Sequence, residues 1–275
     1  ALPIFSNYKT EVVNNMICDY QYVLKAPVET SNDAAEKFCM TTLYESNDEE
    51  ISAYGIENGS EYLSKVNVPK KKNEVVASQG YLEKYSLKVG DRVILKDKYG
   101  ENKYTFKIVG SYYYPASLCV FMTNDNFNDV FDKDDGYFTG YFSNEKLKDI
   151  DDKYIATTIT QKDLTTVTDQ LDDSMGMSFT LLVGFSVLIY IILMYLLSKL
   201  VIEKNEQNIS MLKILGYSNR EASMLYNRAT TVVTIGAILV SVPFIYYVFA
   251  GLYHYFMFEM KGWLPYVVPW YVFVE

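Results

Sequence analysis

Histidine is almost missing from these 275 residues, for His254 stands alone. A His-built metal site needs several such ligands, and no H-E-x-x-H occurs, so that chemistry is excluded. His254 lies among aromatic residues and reads as a packed side chain. Cysteine is scarce and odd in number: Cys18, Cys39 and Cys119. A full disulfide framework is ruled out. Cys18–Cys39 is the nearer pair for a single bridge, and buried free thiols are the plainer reading. Positive charge is also short, with 25 Lys and Arg against 34 Asp and Glu, a net charge of −9. That argues against a nucleic-acid partner, which needs a basic patch. No G-x-x-x-x-G-K-[ST] phosphate loop and no G-x-S-x-G nucleophile elbow is present. No catalytic residue and no cofactor is therefore nominated. The acidic run Asp125, Asp129, Asp132, Asp134 and Asp135 invites a calcium reading. Counting back from Gly136 puts Phe131 and Lys133 at liganding positions, so the loop pattern fails. A solvated acidic face is the better account.

What the chain does have is two regimes, a polar front and an apolar back. The front, residues 1–175, is large enough to bury a core of its own. The back holds Ser174–Ser198, 25 residues without a charge, and Ala229–Phe258, 30 residues without one. A bilayer core roughly 30 Å thick needs about 20 apolar residues as helix, so each run is long enough to span it. Pro243 is expected to kink the second. Between them, residues 199–228 carry five Lys and Arg against three Glu, whereas residues 1–198 carry a net −10. Short loops rich in Lys and Arg stay cytoplasmic. That places 202–228 inside and 1–175 outside the cell membrane in a multi-pass arrangement.

The front reads as an α+β domain over residues 1–160. A helix is expected over 6–18 and a helical turn over 31–37. Strands are expected over 19–25, 38–44, 51–55, 74–78, 92–95, 103–109, 118–123, 137–143 and 154–160. Short helices are expected over 79–85, 124–131 and 145–150. From Gln161, Leu164, Val167, Leu171 and Met175 recur at three-to-four spacing, the stripe of an amphipathic helix. Residues 161–175 read as a stalk, 176–201 as one transmembrane helix and 229–253 as a second. Residues 254–275, rich in Tyr and Trp, read as an interfacial segment or as the truncated start of a further span from about 266.

The stretch 202–228 reads as a short amphipathic helix-turn-helix. Ile209, Leu212 and Leu215 share a face widened by Met211 and Ile214. Gly216 supplies a left-handed stop. Ser218-Asn-Arg-Glu221 is a capping box for a second helix. The pattern Glu206-x-x-Ile209-Ser-Met-Leu212-Lys-Ile-Leu215-Gly216-Tyr217-Ser218-x-x-Glu221 resembles the segment after the second transmembrane helix of FtsX-like permeases, the membrane subunits of MacB-type ABC transporters. A looser resemblance to their extracellular domain runs over Glu74–Gly110, through Leu87-x-x-Gly90-Asp91.

The resemblance implies that Glu206, Ile209, Leu212, Leu215, Gly216, Tyr217, Ser218 and Glu221 form a coupling helix docked on a separate cytoplasmic ATPase. ATP would be hydrolysed on that partner, and this chain would not be an enzyme. Membership of that family also implies a dimeric or two-half assembly. Ala1-Leu-Pro-Ile-Phe5 looks like the exit of an earlier membrane helix, so the chain is expected to be the second half of a larger permease. Three functions remain open. The chain is a permease subunit carrying ATP-driven motion outward. Or it is a mechanical signaller that activates a cell-wall hydrolase, or senses an antimicrobial peptide or a lipoprotein, without transport. Or it is a membrane-anchored extracellular binding protein with no ATPase.

Overall fold

The computed structural model describes residues 3–214 and 219–266; the side chains of 3–6, 167–168, 171–176, 179 and most of those over 201–230 lie outside that description. The chain divides into two compact units. One runs to Gln170 and resumes at Tyr253, and the other covers Leu171–Leu252.

The first unit is a nine-stranded mixed sheet, in chain order β1 (Tyr20–Leu24), β2 (Glu36–Tyr44), β3 (Glu50–Ile56), β4 (Glu74–Ser78), β5 (Arg92–Lys96), β6 (Lys103–Tyr112), β7 (Cys119–Thr123), β8 (Gly140–Ser143) and β9 (Ile155–Thr160). Helix α1 (Pro3–Asn14) precedes it, α2 (Gln79–Lys84) follows β4, and α3 (Asn124–Val130) follows β7. The spatial order is β3-β7-β4-β6-β5-β2-β8-β1-β9, and β2 also pairs with β3. Six strands therefore close on themselves, with Tyr44↔Lys96 as the β2–β5 seam. The other three run on from β2 as an open flap.

This ring has a core on each face, and the period of two in a strand explains both. In β7, Val120 and Met122 enter the ring interior with Val75, Ala77, Phe106 and Ile108. The alternate residues Cys119 and Phe121 join Phe38, Tyr54 and Phe142 on the second face. Phe38 stacks on Phe142 at 4.3 Å and Tyr54 on Phe121 at 5.5 Å between centroids. Gly140 is required where β8 crosses β1, because a Cβ there would lie 1.9 Å from the Tyr22 carbonyl oxygen.

Most expected elements of the front occur, with bounds moved by a few residues. Two do not. Residues 31–35 form a bend and turn leading into β2, which takes up 36 and 37, and 145–150 form no helix. In the second case the side-chain and backbone partners lie elsewhere. Ser143 Oγ accepts from the Glu145 amide (3.0 Å), and the Leu147 amide donates to Tyr22 Oη (3.1 Å). Leu147 and Ile150 are pulled into the ring core. Tertiary partners thus replace the i→i−4 bonds that the periodicity favoured.

Candidate functional site

Two long helices carry the back of the chain. Helix α4 spans Gln161–Ile214 and α5 spans Asn219–Glu259. α4 follows β9 with no loop. The Thr160 amide and hydroxyl both donate to Asp163 Oδ2, at 2.9 and 2.6 Å. This is the reach-back half of a capping box, with Asp in place of Glu. The hydroxyl's bond, followed by the amide's, holds the Asp163 carboxyl below its ordinary range. Within the helices, Thr180–Leu200 and Thr231–Glu259 are long and apolar enough to cross a membrane, with mean hydropathies of 2.5 and 2.2. At 1.5 Å per residue the shorter stretch covers roughly 30 Å, the thickness of a hydrocarbon core. Large apolar side chains along it stay open on the protein, Leu197 at 57% and Phe185 at 66%. A continuous apolar surface of this kind needs a non-aqueous solvent.

The boundaries expected at 175/176 and 201/202 are not breaks in the backbone, for α4 is helical through both. α5 is likewise helical through Pro243 and past residue 253. Of the expected coupling residues, Glu206 is exposed on α4. Its neighbours Met211 and Ile214, expected on the apolar face, are 59% and 86% exposed. The backbones of Ile209 and Leu212 belong to α4 and that of Glu221 to α5. Their side chains, and the whole of Leu215, Gly216, Tyr217 and Ser218, lie outside the described residues.

A second site was not foreseen in the sequence. Beyond α5 the chain turns back and is fastened to the folded unit by a buried ion pair. Lys84 closes α2, and its Nζ lies 3.0 Å from Glu49 Oε2, with the two side chains 0% and 7% exposed. The same ammonium donates to the carbonyls of Met260 (2.6 Å) and Gly262 (3.0 Å), so its three protons are all used. Glu49 Oε1 in turn accepts from the Gly262 amide at 2.6 Å. Gly262 sits at φ +83°, a left-handed value that glycine adopts freely. Around the pair, Trp263 Nε1 donates to Glu83 Oε2 (2.9 Å), Tyr85 meets the Phe258 ring edge-on, and Met257 is buried. Trp263 belongs to the segment expected to be interfacial, yet it packs on the folded unit. One weak signal was available, a Gly-Trp pair just beyond a long apolar run. Nothing local marks Lys84 or Glu49, 35 residues apart in the chain.

Cys18, Cys39 and Cys119 are buried free thiols. Burial pushes each up to about 12, which leaves them unreactive. Asp125, Asp129, Asp132, Asp134 and Asp135 are exposed to solvent.

Residues 166–264 match the family model described as a probable transporter C-terminal domain. The matched stretch takes in most of α4, all of α5 and the fastened segment as far as Leu264. The match supports membership of a transporter family. Together with two helices long and apolar enough to span, it indicates a membrane location. No curated protein matches the chain.

Proposed function

We propose that this chain is the permease subunit of an ABC transporter of the FtsX-like, MacB-type class. It would pass ATP-driven motion from a cytoplasmic ATPase to an extracellular domain, in a two-half or dimeric assembly within the lipid bilayer. The single observation that carries the reading is the way both long helices are tied to the sheet-containing unit. α4 issues from β9 without an intervening loop, and the segment that follows α5 is held by a buried ion pair. A continuous helix anchored at one end in this way behaves as a stiff element, so a displacement at its far end is carried rather than absorbed. In this reading Ile209, Leu212 and Leu215 contact the ATPase. Gly216 and Tyr217 form the turn, Ser218 and Glu221 cap the next helix, and Glu206 lies at the edge of the contact. Residues 1–175 face outward and 202–228 inward.

A second reading has its own support. Neither apolar stretch holds an Asp, Glu, Lys, Arg or His from Thr180 to Ser198 or from Thr231 to Tyr253, and a polar transport route usually contains some. The same motion would then serve signalling, with the extracellular domain activating a cell-wall hydrolase or sensing a peptide or lipoprotein, and nothing crossing the bilayer. A tethered binding protein without an ATPase is the third reading.

The test is co-purification of the parent protein in detergent, with an ATPase assay on whatever accompanies it. A stoichiometric ATPase that is lost with Leu212→Asp and weakened with Gly216→Val is the expected result. A loop that tolerates both changes, with no nucleotide-hydrolysing partner, would overturn the reading in favour of a tethered binding domain. A purified hydrolase or peptide that binds the chain and alters ATP turnover, with no solute moved in vesicles, would favour signalling.

A further inference from the structure

The folded unit contains a cavity of about 320 Å³ that none of the functions above uses. Tyr8 of α1, Tyr113 and Ser117 after β6, and Trp263 and Tyr266 of the fastened segment line it together with Glu83. Glu83 is the one charged side chain among the described residues of the lining; no Lys, Arg or His is there. Its carboxylate is held in place, accepting from Trp263 Nε1 at 2.9 Å and from Gln79 Nε2 at 2.8 Å. A carboxylate has about four lone-pair positions, so two such bonds leave acceptor capacity free. The aromatic walls are fixed as well. Tyr8 Oη donates to the Pro115 carbonyl at 2.9 Å, and Gly80 keeps a Cβ from pressing on Trp263, which would be 3.3 Å away.

Outside the lining, Tyr113 meets a second carboxylate. The Glu11 carboxylate is a hydrogen-bond partner of the Tyr113 phenol, and burial, then that contact, pushes the phenol up to about 12. The phenol therefore stays neutral. The Ser117 hydroxyl is buried and, apart from the Cys119 thiol, meets no partner among the described residues.

We propose that this cavity binds an organic cation, an ammonium or guanidinium head on a short apolar stem. An anion would meet Glu83 and Glu11 and be repelled. A neutral apolar ligand would cover the Glu83 carboxylate without pairing it, which is unfavourable. A cation is stabilised by the carboxylate and by the negative faces of the surrounding rings. The Ser117 oxygen supplies one more acceptor for an N–H donor. A zwitterionic lipid head would bring its phosphate towards the same two carboxylates, so a soluble cation is the better occupant. The inference stands on the cavity alone and does not depend on what drives the helices.

The sequence contains two tryptophans, Trp263 and Trp270, so a Trp270→Phe background makes Trp263 the reporter. The full chain in detergent is titrated with n-butylguanidinium and, separately, with the neutral isostere n-butylurea, and Trp263 emission is read. Saturable binding of the guanidinium is expected, with the urea weaker by about tenfold or more, since it lacks the charge that pairs with the carboxylate. Glu83→Gln, whose amide keeps an acceptor for Trp263, is expected to weaken guanidinium binding by a similar factor while leaving the melting temperature in place. Tyr113→Leu removes a ring without touching the partners of Trp263 and serves if Glu83→Gln does not fold. Equal affinity for the urea, or unchanged affinity in the folded variant, overturns the proposal. So does an emission change produced by nanodiscs of phosphatidylethanolamine but not by the soluble cation, which would assign the cavity to a lipid.

Discussion

At the scale of single residues, the fastened segment hangs on Lys84 and Glu49. Removing one partner from a buried pair leaves the other charge buried and unpaired, at a cost of about 3–5 kcal/mol. Lys84→Met is therefore expected to lower the melting temperature sharply in detergent, and the double change Lys84→Met with Glu49→Leu to lose much less than the two single changes added together. Additive losses in that cycle would show that the pair is not coupled. Asp149 acts on the surface. It accepts from the Ser31 amide (2.6 Å), the Ser31 hydroxyl (2.9 Å) and the Thr30 hydroxyl (2.9 Å). These bonds, the backbone one first, hold its carboxyl at about 2 against an ordinary 3.8. A folded-state value below the unfolded one means that the stabilisation is complete above about pH 4 and is lost as pH falls through about 2. Amide exchange at Ser31 is expected to quicken across that window in the native chain, and Asp149→Asn to remove the pH dependence.

At the scale of elements, α4 joins a strand to an apolar span in one unbroken helix. Proline in a helix interior removes a backbone bond and clashes with the preceding turn, at about 3 kcal/mol. Gly176→Pro would place that break between β9 and the apolar stretch. Under the proposed function, the ATPase is expected to co-purify as before while its response to extracellular ligand is lost. An unchanged response would show that a stiff α4 is not needed. Among the strands, Gly140 admits no side chain, because the Tyr22 carbonyl occupies the space. Gly140→Ala is expected to separate β8 from β1 and to leave the protein largely unfolded, as near-ultraviolet circular dichroism would report. The two long apolar runs were legible because hydrophobic length is a local property. The missing helix over 145–150 was not, since Tyr22 and the ring core took the groups that would have formed it.

At the scale of the whole molecule, the proposed function requires that weakening the fastened segment uncouples without dissociating. Trp263→Ala removes the side chain that bonds Glu83 and stacks edge-on with His254. It is expected to leave ATPase binding intact and to reduce ligand-stimulated ATP turnover by about tenfold, the scale of one lost interaction of about 1.4 kcal/mol. Turnover that follows ligand normally in this variant would place the coupling in α4 alone. The match of residues 166–264 to a transporter domain includes this fastened segment, so the segment lies within the part of the chain that carries the transporter resemblance.

The sequence by itself determined the division into a polar front and an apolar back, the two helices able to span, and most strands of the front. Each of these rests on a periodicity or a run length that neighbouring residues set among themselves. Only the tertiary structure decided that six strands close into a ring, because closure depends on β2 pairing with β3 and, through Tyr44, with β5. It alone brought Lys84 to the carbonyls of Met260 and Gly262 and Glu49 to the Gly262 amide. A buried charge is tolerated only where distant groups converge to satisfy it, and no window along the chain contains those groups together.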